Sequence, residues 1–132
     1  MTGNQINQSL PLRDGPLNVQ DVNFNDNKGI LYHLNLTAFM NVTKLSLKNV
    51  GLDILHLNIF EGMTKLETLN LGNNPISDVT PLATNTQLSH VQQIKLYTNQ
   101  ITDLDMSIFA SQSLPALEAL YLYNDQISSL TT

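Results

Sequence analysis

Apolar residues recur along the chain in a fixed rhythm, at the first, fourth and sixth places of a short unit. Four copies are clear: Val42, Leu45 and Leu47; Leu66, Leu69 and Leu71; Val91, Ile94 and Leu96; Leu117, Leu120 and Leu122. Five residues after each copy stands a further apolar residue: Leu52, Ile76, Ile101 or Ile127. The starts are 24, 25 and 26 residues apart. A blurred earlier copy begins at Val19, with Val22, Phe24 and Asn27 in place and its closing residue, Ile30, one position late. Self-similarity at this period predicts a stacked array, because no unit of this length buries its apolar face alone.

Within each unit, apolar residues two apart, such as Leu69 and Leu71, project from one face of a short strand toward the core. The residue between them points into solvent, and a turn follows. A second register supports the same alignment. Phe39, Met63, Leu88 and Leu114 each lie three residues before a start and should close the far side as the chain returns to its next strand. Phe60 and Phe109 should fill the same layer. Before Val19 the corresponding residue is Pro16, so the pattern fails there. Residues 1–18 are therefore expected to form a cap or leader, and residues 19–132 a solenoid of about five repeats, the last one incomplete.

The turn residues complete a recognisable motif. Asn74 and Asn99 stand three residues beyond the last strand leucine; Val50 and Asp125 replace them in the other clear copies, with Asn49 and Asn124 one place early. In this spacing the chain resembles leucine-rich repeat proteins, whose units run Leu-x-x-Leu-x-Leu-x-x-Asn-x-Leu. The resemblance implies a right-handed solenoid of α/β-type repeats, with a parallel sheet on the concave side and irregular or 3-10 returns on the convex side. An asparagine amide both donates to and accepts from backbone groups of neighbouring coils. Valine does neither and an ionised aspartate only accepts, so the coils at Val50 and Asp125 should be the irregular ones. The stretches 74–82 and 99–104 resemble bacterial internalin repeats, whereas 59–66 resembles the longer repeats of animal extracellular receptors. The resemblance implies a protein-recognition role of adhesion, receptor or innate-immune type. An enzyme inhibitor of the same repeat class and a self-assembling scaffold are the alternatives.

Composition narrows the class further. Of 132 residues, 42% are hydrophobic and only 13% charged, with net charge −5 and no cysteine. Disulfide caps and thiol chemistry are therefore excluded. No apolar run approaches the ~18 residues of a membrane span, so no membrane insertion is expected. Acidity and a single arginine, Arg13, argue against binding nucleic acid through its phosphates. A polar surface rich in asparagine, glutamine, serine and threonine leans toward an extracellular or cell-surface protein, although residues 1–5 carry no basic or apolar signal-like stretch. Glycosylation sequons at Asn7, Asn35 and Asn41 add nothing, since about 2.5 such triplets arise by chance at this composition. Beyond Ile127 and Leu130 the final coil stops at Thr132, which leaves two alternatives: a fragment, or self-association through an open C-terminal end.

Catalytic chemistry finds little support. His33, His56 and His90 fall at no metal-ligand spacing, and neither a phosphate loop nor a nucleophile elbow occurs. No enzyme activity and no cofactor are expected. Asp78 and Asp103 occupy equivalent places; bonding to their own backbone is favoured over a calcium ladder. What remains is the concave face, where three columns of outward residues should stack: Asp21, Lys44, Thr68, Gln93, Ala119; Asn23, Ser46, Asn70, Lys95, Tyr121; and Asn25, Lys48, Gly72, Tyr97, Tyr123. Tyr97, Tyr121 and Tyr123 fall in neighbouring cells as one aromatic patch, with Lys95, Gln93 and Asn70 beside them. This cluster is the expected ligand-binding site, because tyrosine concentrates binding energy at little entropic cost.

Overall fold

The computed structural model describes residues 19–32, 36–56, 58–110, 112 and 114–132; the expected cap or leader at 1–18 lies outside them, as do His33, Asn7 and Asn35. Each copy of the apolar unit becomes one three-residue strand: β1 (Asp21–Asn23), β2 (Lys44–Ser46), β3 (Thr68–Asn70), β4 (Gln93–Lys95) and β6 (Ala119–Tyr121). All neighbouring pairs are parallel, in the order β1-β2-β3-β4-β6. The pairing puts Val22, Leu45, Leu69, Ile94 and Leu120 in one inward row, as the spacing requires.

The core is one continuous stack. Leu45, Leu47, Leu69, Leu71, Ile94 and Leu96 are all buried, as are the return residues Phe39, Met63, Leu88, Leu114, Phe60 and Phe109. Leu120 and Leu122, expected to be equally buried, are only half-buried, with Leu117 and Ile127. Among the described residues no further coil packs over them, so one side of each stays open. Among the described residues no helix is long and apolar enough to cross a membrane.

Every turn after a strand of the five-stranded sheet repeats one backbone device. Asp26, Asn49, Asn73, Thr98 and Asn124 each have φ between 55° and 62°. Asparagine and aspartate tolerate this left-handed region, and β-branched Thr98 occupies it under strain. The coils at Val50 and Asp125 were expected to be irregular, yet their turns have the same geometry as those of Asn74 and Asn99. At Val50 the reason is visible: Asn74 of the next coil accepts from the N–H groups of Val50 and Leu52 at 3.0 and 3.1 Å. Its amide nitrogen donates to the carbonyl of Leu47 at 2.9 Å. The turn at Val50 is thus held by the asparagine of the next coil, as the turn at Asn74 is held by Asn99.

The returns combine 3-10 turns (Ile30–Tyr32, Leu36–Phe39, Thr86–Leu88, Met106–Ile108) with a four-residue α-helix at Pro81–Thr84. They also contain a second sheet that the spacing did not predict: β5 (Asp103–Asp105) pairs in parallel with β7 (Ser129–Thr131). Each places one leucine between two polar residues, Leu104 buried and Leu130 exposed.

Candidate binding face

The concave face is built by the strands' outward residues, and the register fixes its columns. Asp21, Lys44, Thr68, Gln93 and Ala119 pair in sequence, as do Asn23, Ser46, Asn70, Lys95 and Tyr121. The third column follows from the hydrogen bonds just beyond the strands, in which Lys48, Gly72, Tyr97 and Tyr123 carbonyls accept from the N–H groups of Asp26, Asn49, Asn73 and Thr98.

The two ends of this face differ in how far their polar groups are already engaged. At the β1 end, Asn25 Oδ1 accepts from the Ser46 hydroxyl at 2.7 Å and the Lys48 N–H at 2.9 Å, while Asn23 Oδ1 accepts from the Asn25 N–H. These amides brace the sheet. At the β6 end the aromatic residues form two pairs. Tyr97 and Tyr123 stack face to face, centroids 4.8 Å apart and rings within 2° of parallel. Tyr121 is partnered by Lys95, whose Nζ lies 5.7 Å from the ring centroid.

Gly72 explains the posture of the first pair. The Tyr97 ring lies so close over it that a Cβ there would sit 2.5 Å from two ring carbons. A glycine in the column therefore seats Tyr97, Tyr97 seats Tyr123, and the outer ring stays 58% exposed. Asn70 Nδ2 reaches the Tyr97 hydroxyl at 3.4 Å, and its Oδ1 accepts from the Gly72 N–H at 3.1 Å. Sequence reasoning named the tyrosines, Lys95, Gln93 and Asn70 but missed Gly72. Its signal was a glycine directly preceding a tyrosine in the same column. Gln93 and Lys95 are half-buried on β4, Lys95 against the Tyr121 ring and Gln93 paired with Ala119.

Elsewhere the candidate chemistry is modest. Asp78 accepts from the N–H and hydroxyl of Thr80, and Asp105 caps the following turn through the Ser107 N–H. The Ser107 hydroxyl and N–H hold Asp105 below the usual carboxylate range. Asp78 bonds to its own backbone, as favoured from the sequence, whereas Asp103 accepts from the neighbouring Thr102 hydroxyl at 3.1 Å. Among the described residues no group of three metal-ligating side chains is assembled. His56 and His90 are exposed.

Asp125 is different. Its Oδ1 accepts from the Asn99 N–H at 2.9 Å, but its buried Oδ2 has no partner. Burial pushes its carboxyl above the ordinary value, against the opposing pull of the Asn99 and Ile101 N–H groups.

No family model matches the chain and no curated protein matches it. Solved structures do. An internalin C2 from Listeria monocytogenes str. 4b F2365 is 24% identical, with a TM-score of 0.53 over 82% of this chain and 52% of its own. The APL1 leucine-rich repeat domain is 16% identical, with a TM-score of 0.54 over 86% of this chain and 32% of its own. The chain thus spans about half or less of the structures it matches. At these identities the likeness speaks to architecture, and it agrees with the repeat register, the parallel sheet and the turn asparagines: the chain has the leucine-rich repeat fold.

Proposed function

We propose that this chain is a non-enzymatic protein-recognition module that engages a protein partner on the β6 half of its concave face. The observation that carries the reading is the ring pile on Gly72, where Tyr97 and Tyr123 are stacked before any ligand arrives. Rings already held in place lose little freedom on binding, which is the condition under which tyrosines become anchors. Tyr121, Tyr123 and Tyr97 are the anchors; Lys95, Gln93 and Asn70 supply the polar surround. The role is of adhesion, receptor or innate-immune type, at a cell surface or outside the cell. Its supports are the architecture shared with internalin C2 and a surface of amides and hydroxyls with few charges.

The test is affinity for a captured partner. Replacing one central anchoring tyrosine should weaken binding by about 2 kcal/mol or more, and changing Asn23 or Asn25 much less. Unchanged affinity of a folded variant with Tyr97, Tyr121 and Tyr123 all changed to serine would move the site elsewhere. A second reading, self-association through the C-terminal strands, has its own support in the outermost positions of β6 and β7 and in Leu130, 61% exposed. Sedimentation equilibrium of the 132-residue chain decides it, since a mass independent of concentration would remove that reading.

A further inference from the structure

The basic side chains of this acidic protein are unevenly placed. Of six basic residues in the whole sequence, Lys44, Lys48 and Lys95 all stand in the concave columns, whereas Asp21 is the one acidic residue among the described ones that does. Lys44 and Lys95, with Asp21 at the β1 edge, line a basin of about 290 Å³ whose floor includes Ser46, Thr68 and Asn70. Lys48 stands on the same coil as Lys44, in the column next to Asn70.

These charges are largely uncommitted. Lys44 meets Asp21 at 3.7 Å with both side chains more than half exposed, a pair that holds little energy in water. Lys48 and Lys95 have no acidic partner among the described residues. The rims carry the opposite sign. Glu67 and Glu118 stand exposed one residue before β3 and β6, and Asp26 lies beyond the other end of the strands. A basic floor between acidic rims repels a broad polyanion but admits a carboxylate on a narrow segment.

Taking the concave face as the binding surface, as proposed above, we infer that it receives an acidic segment of a protein partner. One carboxylate sits over Asn70 among Lys44, Lys48 and Lys95, and an aromatic or aliphatic side chain of the same segment rests against Tyr121 and Tyr123. Strand spacing sets the distance between the two contacts. From β3 to β6 is two strand steps and from β2 to β6 three, so at ~4.8 Å per step the contacts lie about 10–14 Å apart. An extended segment crossing the strands covers that in about three or four residues at ~3.3 Å each.

A random peptide library displayed on phage, selected on the folded 132-residue chain, tests the inference. Enriched peptides should carry aspartate or glutamate three or four positions from an aromatic or aliphatic residue. Synthetic copies should bind the K44Q/K95Q double variant about tenfold more weakly or worse at low ionic strength, with the difference shrinking as salt is added. Both lysines are surface residues of the sheet, and circular dichroism verifies that the variant is folded. Enriched peptides with no carboxylate, bound through the tyrosines, would overturn this inference while leaving the recognition reading intact. Peptides insensitive to both lysine and tyrosine replacements would overturn the two together. Failure of any peptide to enrich, or tighter binding of a heparin fragment or single-stranded oligonucleotide, would overturn the acidic-segment assignment.

Discussion

Asn74 holds its turn through five hydrogen bonds: two backbone N–H groups donate to its Oδ1, and its Nδ2 reaches the carbonyls of Leu47, Leu71 and Gly72. Asn99 repeats the arrangement with Ile76, Leu71, Leu96 and Tyr97. Both are buried, so Asn74→Ala or Asn99→Ala strands backbone groups of two coils at once. Each should cost about 1–3 kcal/mol in urea unfolding, and free replaceability would show that water substitutes for the ladder. Asp125 tests the same ladder from the other side. Where Asn74 and Asn99 present a donating amide, it presents a carboxylate oxygen without a partner. Its folded pKa is raised above 3.8, so the protonated form is the one folding favours. That contribution is complete below the unfolded value and is lost as pH rises through the folded one. Asp125→Asn should therefore stabilise by about 1 kcal/mol at neutral pH, since it supplies the missing donor. Near pH 3 the two proteins should converge. Equal stabilities at pH 7 would mean that Oδ2 finds water after all.

The strands were legible because their signal is local and repeated. Leu69 and Leu71 alternate around Asn70, the same triplet recurs at the next coil, and register follows from overlaying the copies. The β5–β7 pair was not legible, since Asp103-Leu104-Asp105 and Ser129-Leu130-Thr131 are mostly polar and exposed, and their pairing depends on a coil-to-coil alignment of the returns. The tyrosine columns could be read from register, but the ring pile could not. Whether Tyr97 stands upright or lies down depends on the missing Cβ of Gly72, a packing fact with no periodic signature. Burial also grades along the strands in a way the pattern alone conceals. Leu71 and Leu96 are fully buried and Leu122 only partly, although all three occupy one place in the repeat. Leu71→Ala and Leu96→Ala should each cost about 2–5 kcal/mol, because they leave cavities enclosed on both sides. Leu122→Ala should cost distinctly less, since solvent already reaches it. A loss below ~1 kcal/mol at both Leu71 and Leu96 would refute the register.

Stacking makes the whole molecule quasi-one-dimensional, with each coil stabilised mainly by its two neighbours. The coils of β3 and β4 have a neighbour on each side, while among the described residues the coil of β6 is covered only by that of β4. Its Leu120, Leu122 and Ile127 are half open, and its turn residue Asp125 withholds a hydrogen bond that the inner coils make. The same coil carries Tyr121 and Tyr123, so the proposed recognition surface lies on the least supported of the described coils. Native-state hydrogen exchange should reveal this as a gradient. The N–H groups of Leu47 and Leu71, bonded to Asn70 and Lys95 carbonyls, should exchange at or near the global unfolding rate. Those of Glu118 and Ala119, both bonded to the Gln92 carbonyl, should exchange faster through opening of the last coil alone. Asp125→Asn should slow that local opening at neutral pH without changing the inner protection. A ligand seated on Tyr121 and Tyr123 should slow it as well, because binding that requires the closed coil adds its free energy to the cost of opening. If Ala119 and Leu71 proved equally protected in the free protein, the chain would unfold as one cooperative unit, and the tyrosines would rest on a surface as rigid as the centre of the sheet.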